Sequence, residues 1–167
     1  RAGNVIGGGD WSEDRIVPDI IHYLSKGTVI PVRNPNAMRP WQHVLEPLNG
    51  YLFLAEKLYK YDIPELQSAF NFGPDSQSVM TVKHLVEESL KHWPGKWESH
   101  APADAPHEAE LLKLTYDKAL SLLGWSPRWS FEQAVRYTIN WYHRCDRGDH
   151  AIELMQEQID AYINETD

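Results

Sequence analysis

Short β-type runs alternate with amphipathic helical patterns through the first half of this chain, and that alternation confines it to the α/β class. The chain opens on a small, strand-like run, Arg1 to Ile6, that breaks into Gly7-Gly8-Gly9-Asp10-Trp11. Val17 to Ser25 reads as a helix that tolerates Pro18 in its first turn, carries Ile20, Ile21 and Leu24 inward and stops at Gly27. Val29 to Arg33 is a β-type run in which Pro31 suits an edge, and Pro40 to Val44 is a second brief extended piece. The strongest helix of this half covers Leu45 to Tyr61, with Leu48, Leu52, Ala55 and Leu58/Tyr59 on one face and Phe53 and Leu54 beside it. Ala69 to Pro74 reads as a strand ending in a turn.

The second half grades into helix. Thr81 caps a helix with Val82, Leu85, Val86, Leu90 and Trp93 on one stripe, Trp97 to Ser99 is a short strand, and Ala101 to Pro106 is a Pro- and Ala-rich loop. Tyr116 to Leu123 is a short helix stopped by Gly124. Ser130-Phe131-Glu132-Gln133 is a capping box, and the helix it opens faces Phe131, Ala134, Val135, Thr138, Ile139 and Tyr142 to the core. A last helix, Asp149 to Ile163, carries Ile152, Met155, Ile159 and Tyr162/Ile163. At 167 residues and 42% apolar, the chain can bury one sizeable core, a domain or a domain and a half.

Composition excludes several classes of function. The net charge is −8, from 16 basic and 24 acidic residues, and the basic ones are scattered rather than gathered into a stripe, which argues against a nucleic-acid partner. No apolar run approaches the roughly 20 residues of a membrane span, so a soluble protein with no membrane partner is expected. One cysteine, Cys145, rules out an internal disulfide and fits a reducing, cytoplasmic compartment. The eight histidines lack His-x-x-x-His or His-Glu-x-x-His spacing, so no metal site is expected.

What remains is a ligand held by a few local donors. Glycines at 7 to 9 let backbone N–H groups approach a ligand, and Asn4 and Arg15 flank them as donors, a combination suited to a phosphorylated or polyhydroxylated molecule. A flexible turn leaving a strand is the alternative, because neither G-x-G-x-x-G nor G-x-x-x-x-G-K-[ST] occurs in the chain.

The order of these landmarks resembles the C-terminal, substrate-binding part of the extended short-chain dehydrogenase/reductases that act on nucleotide sugars. Arg1-Ala2-Gly3-Asn4-Val5-Ile6-Gly7 is similar to their R-x-x-N-x-x-G, and Asp14-Arg15-Ile16-Val17-Pro18 to the segment that follows it. Ile30-Pro31-Val32, Arg39-Pro40-Trp41-Gln42-His43-Val44, Asn71-Phe72-Gly73 and Leu123-Gly124-Trp125-Ser126-Pro127 with Trp141-Tyr142 match later landmarks in order. The triple glycine followed by Asp-Trp, and His107-Glu108-Ala109, look most like the branch of that family that dehydrates CDP-glucose.

The resemblance implies the end of a Rossmann-type parallel sheet plus a mainly helical substrate-binding lobe over residues 1–167. It also implies an NAD-binding N-terminal half that is absent from this sequence. The opening without a start methionine fits a piece of a longer protein. No tyrosine has a lysine four places later, so the family's Tyr-x-x-x-Lys pair is missing, and this chain is expected to bind substrate without catalysing. By the same resemblance the ligand is a nucleotide diphosphate sugar and the intact enzyme a homo-oligomer. Arg39 and Arg15 would grip the diphosphate, their fixed, paired donors suiting it. Asn4 would bind the diphosphate or sugar, and Asn71 would face the cleft from a strand end. Ile30 and Val32 would meet the base through backbone groups or packing, with Arg33 beside it, and His107 and Glu108 would lie near the nucleotide. For Arg15, beside Glu13 and Asp14, a solvated charge cluster is the competing reading. An epimerase or decarboxylase of the same family would keep the same arginine and asparagine contacts, and a stand-alone, non-catalytic binding module or fold-stabilising domain is the other alternative.

Overall fold

The computed structural model describes residues 1–100 and 114–165. Its opening run forms β1 (Asn4–Ile6), which pairs parallel with β3 (Met38–His43) in the register Asn4 to Trp41 and Ile6 to His43. Strand β4 (Val79–Thr81) lies antiparallel on the other side of β3. A separate parallel pair joins β2 (Ile30–Val32) to β5 (Trp97–Ser99). The expected strand at Ala69 to Pro74 is reduced to one parallel bridge between Ala2 and Phe72. There the Phe70 and Phe72 rings, two residues apart and so on one side of the chain, are buried together in a local cluster.

The helices follow the periodic patterns closely. They are α1 (Ile16–Ser25), α2 (Leu45–Lys60), α3 (Val82–His92), α4 (Asp117–Leu123), α5 (Phe131–Asp146) and α6 (Ala151–Asn164). Thr81 caps α3 by accepting the His84 N–H at 3.1 Å. Ser130 and Gln133 form the capping box of α5, and α4 ends at Gly124 with φ of 72°. Two 3-10 turns, Pro64–Leu66 and Ser76–Ser78, carry no apolar period and were not legible in the sequence.

The main core joins Ile20, Ile21 and Leu24 of α1, Trp41 of β3, Leu85 and Val86 of α3, and Phe131, Val135, Ile139 and Tyr142 of α5. Cys145 packs at its edge. A smaller cluster gathers Leu66, Phe70, Phe72, Leu123 and Trp125, with Phe53 and Leu54 of α2 against it. Helix α2 therefore buries only part of its apolar surface: Leu48, Ala55, Leu58 and Tyr59 are exposed, and Leu52 is 71% exposed.

The expected face of α6 is corrected. Tyr162 is buried as expected and Ile159 is half-buried, but Leu154 takes the inward place given to Ile152 and Met155: Ile152 is 80% exposed, and Met155 and Ile163 also face out. The helix meets the body along a stripe spaced by four residues: Leu154 enters the core, Gln158 donates to the Tyr137 carbonyl at 2.8 Å, and Tyr162 reaches Glu46. Polar contacts set its phase, and apolar periodicity cannot read those.

Glu46, in the first turn of α2, is buried and holds three segments together. Its Oε1 accepts the N–H groups of Arg128 at 3.0 Å and Trp129 at 2.7 Å, and its Oε2 accepts the Tyr162 hydroxyl at 2.7 Å. Burial raises its pKa, although these three donors pull the other way. The folded state therefore keeps the proton at pH values where the unfolded carboxyl has lost it. The group's contribution to stability is fullest below the unfolded pKa and falls as pH rises through the folded one. Glu46→Gln removes that slope while its amide still accepts the two N–H groups, so its stability relative to wild type should rise with pH. Glu46→Ala leaves buried donors unpaired and should cost on the order of 3 kcal/mol. Denaturant unfolding of both variants between pH 4 and 8, read as differences from wild type so that buried His43 cancels, checks both outcomes.

Candidate functional site

Parallel pairing puts opposed residues on the same side of a sheet, so Asn4 shares a face with Trp41, and the period of two along β3 adds Arg39 to it. That face forms one wall of a cleft of about 610 Å³, and the start of α1 with the segment before it forms another. Asn4, Arg39 and Trp41 line it from the sheet, Asp10, Asp14 and Arg15 from the segment leading into α1, and Val17 and Pro18 from α1 itself. Three of the expected substrate contacts, Asn4, Arg15 and Arg39, thus converge on one cavity from positions far apart in sequence.

The wall opposite the sheet depends on the glycine run. A Cβ on Gly8 would lie 2.2 Å from Cδ2 of Trp141, so the indole of α5 fills the space where a side chain would stand, and Gly9 takes φ of 87°. Beyond it the Tyr142 hydroxyl donates to the Asp10 carbonyl at 2.7 Å, and Trp11 packs edge-on against the Tyr142 ring. Burial pushes the Tyr142 hydroxyl up to about 12, which keeps it a proton donor.

Two arginines at and beside the cleft are paired with acids. Arg15 Nη1 donates to Asp10 Oδ2 at 3.2 Å, and Arg33 Nη2 donates to Asp14 Oδ1 at 2.9 Å with Asp19 3.7 Å away. Hydrogen bonding from Ser12, with Arg15 nearby, holds the Asp10 carboxyl below its ordinary value. Asp14 sits at φ of 60°, a left-handed conformation uncommon outside glycine and tolerated by Asp. Arg39 is half-buried and donates from Nη1 to the Met38 carbonyl at 2.9 Å.

Among the described residues the other expected contacts fall elsewhere. Ile30 and Val32 are buried in the main core, so their side chains cannot reach a base, leaving only backbone contact. Arg33 is exposed and does not line the cleft, although its partner Asp14 does. Asn71 does not line the cleft, because its segment carries a single bridge rather than a strand pointing at it. His107 and Glu108 lie outside the described residues. Trp41 and Asp10 line the cleft without having been singled out; Trp41 could have been found from its period-two spacing to Arg39. Among the described residues no group of three or more His, Cys, Asp or Glu side chains is placed to hold a metal ion, and no helix is long and apolar enough to cross a membrane. The glycine run does not fit a dinucleotide loop, since it leads into an irregular segment and α1 starts only at Ile16.

This succession of elements is the fold of the extended short-chain dehydrogenase/reductases that act on nucleotide sugars. Over 89% of its length the chain superimposes, with a TM-score of 0.71 and 18% identity, on 45% of dTDP-glucose 4,6-dehydratase from Bacillus anthracis str. Ames, solved in complex with NAD. It likewise covers 44% of a UDP-glucuronic acid 4-epimerase mutant from Bacillus cereus, also solved with NAD, with a TM-score of 0.72 and 15% identity over 87% of this chain. In sequence it is 38% identical over 172 aligned residues to the CDP-glucose 4,6-dehydratase of Salmonella typhimurium (strain LT2), an alignment that takes in 99% of this chain and 46% of that protein. UDP-glucose 4-epimerase 3 of Oryza sativa subsp. japonica is 32% identical over 118 residues, 69% of this chain and 30% of that protein. No protein-family model matches the chain. The family resemblance read from the landmarks is borne out, and the chain spans less than half the length of these relatives.

The seat of the glycine run is open to test. Gly8→Ala should force Trp141 to move and lower stability by about 1–3 kcal/mol, as overpacking of a filled site does. Chemical denaturation of the variant, followed by tryptophan fluorescence, measures it.

Proposed function

We propose that this chain is the substrate-binding part of a nucleotide-sugar 4,6-dehydratase whose intact form converts CDP-glucose to CDP-4-keto-6-deoxyglucose with NAD. The observation that carries the reading is the convergence of Asn4, Arg15 and Arg39 on one cleft at the sheet's edge. A diphosphate needs several donors within a few ångströms of each other, and guanidinium groups supply them in a fixed geometry. The cytidine branch is supported by the 38% identity to a CDP-glucose 4,6-dehydratase. A 4-epimerase reading has the weaker support of 32% identity over a shorter stretch. NAD belongs, in this reading, to a part of the intact protein other than the described residues, and no step of the reaction is assigned to this chain.

In the intact protein, Arg39→Ala should weaken CDP-glucose binding by about 1.5–3 kcal/mol, the loss expected when a hydrogen bond to a charged group is removed. Calorimetric titration reads it, and an unchanged Kd would remove Arg39 from the site. Competition among CDP-glucose, UDP-glucose and dTDP-glucose in the same titration decides the base.

The uncovered side of α2 bears on partners. Leu48, Leu52, Ala55 and Tyr59 form an exposed apolar strip that soluble monomers seldom carry. In this reading it packs on the cofactor-binding part of the intact, homo-oligomeric enzyme. The 167-residue chain by itself should therefore self-associate in sedimentation at micromolar concentration and bind a hydrophobic dye. A dye-silent monomer would contradict this.

A further inference from the structure

Arg15 lines the cleft with its side chain 65% exposed, and a guanidinium that open to water samples many rotamers unless something holds it. Its partner among the described residues is Asp10, which lines the same cleft. Asp10 is itself fixed at two points apart from its bond to Arg15. Its carbonyl accepts the Tyr142 hydroxyl, its Oδ1 accepts the Ser12 N–H at 3.0 Å, and its Oδ2 accepts Arg15 Nη1. The backbone of this acid is thus tied to α5, while its carboxylate meets the arginine through one nitrogen. A guanidinium carries five N–H donors, so this single bond leaves most of them for a ligand.

We propose that Asp10 is a positioning residue, which holds the Arg15 guanidinium in the cleft so that its remaining donors meet a diphosphate already ordered. This deepens the proposed function and rests on the reading of the cleft as a diphosphate site. A carboxylate beside a diphosphate also repels it, so the sign of the effect discriminates. Positioning predicts weaker binding when Asp10 is removed, whereas competition for Arg15 predicts tighter binding.

The test is calorimetric titration of the full-length protein with CDP and, separately, with inorganic pyrophosphate. The variants are Asp10→Ala, Asp10→Asn, Arg15→Ala, the Asp10→Ala/Arg15→Ala double variant and Arg39→Ala, with thermal unfolding of each. Asp10→Ala should lose roughly two- to fivefold in affinity for both ligands, the range of an exposed ion pair. Asp10→Asn keeps an acceptor for Ser12 and should lose less. The double variant should bind as Arg15→Ala does, because the loss runs through the arginine. Wild-type or tighter binding by both Asp10 variants overturns the proposal. So does a loss that persists once Arg15 is gone, which would mark a purely structural role. If wild type binds neither ligand, or Arg15→Ala and Arg39→Ala bind as wild type, the diphosphate reading of the cleft falls, and the positioning role falls with it.

Discussion

Two neighbouring aromatic residues on α5 hold the wall of the cleft, and much of the rest of the site depends on them. Trp141 occupies the space beneath Gly8, and Tyr142 donates its hydroxyl to the Asp10 carbonyl. Together they pin a segment that has no regular hydrogen-bonded structure of its own between β1 and α1. Helix α5 can serve as the anchor because it is itself secured, capped at Ser130 and buried along Phe131, Ala134, Val135, Thr138 and Ile139. The route from core to cleft is short: a packed helix face, two rings, a glycine run and then charged side chains.

Those charged side chains work in a protein whose overall field is unfavourable to anions. With a net charge of −8, attraction for a phosphate has to be local. In the proposed reading it comes from Arg15, paired to Asp10, and from Arg39 on the sheet opposite. Pairing limits the cost of gathering like charges and narrows the rotamers that each guanidinium samples. Three of the four acids between residues 10 and 19 pair with Arg15 or Arg33, in a stretch that in isolation reads as ordinary solvated surface.

The distribution of buried surface fits a chain that spans less than half of its relatives. The main core is closed around α1, α3 and α5, and Glu46 ties the start of α2 to α6 through Tyr162. The outer side of α2, by contrast, presents Leu48, Leu52 and Tyr59 to solvent. The two sides of one helix therefore carry different information: the Glu46 side completes this unit, and the apolar side lacks a counterpart among the described residues.

By itself the sequence determined the elements whose signal is local. The apolar stripes of α1, α3 and α5, the caps at Thr81 and Ser130 and the stop at Gly124 depend on neighbours within a few positions, and they fold as the periodicity predicts. The ordered landmarks also determined the family, because a succession of short motifs carries information that none has alone. The sequence could not determine which residues meet. Only the register of β1 on β3 brings Asn4 and Arg39 together, only the docking of α5 seats Trp141 against Gly8, and only the contacts of Gln158 and Tyr162 set which face of α6 turns inward. Asn71, Ile30 and Val32 carried the family pattern yet lie away from the cleft lining, since a motif specifies a place in the chain and long-range packing decides where that place points.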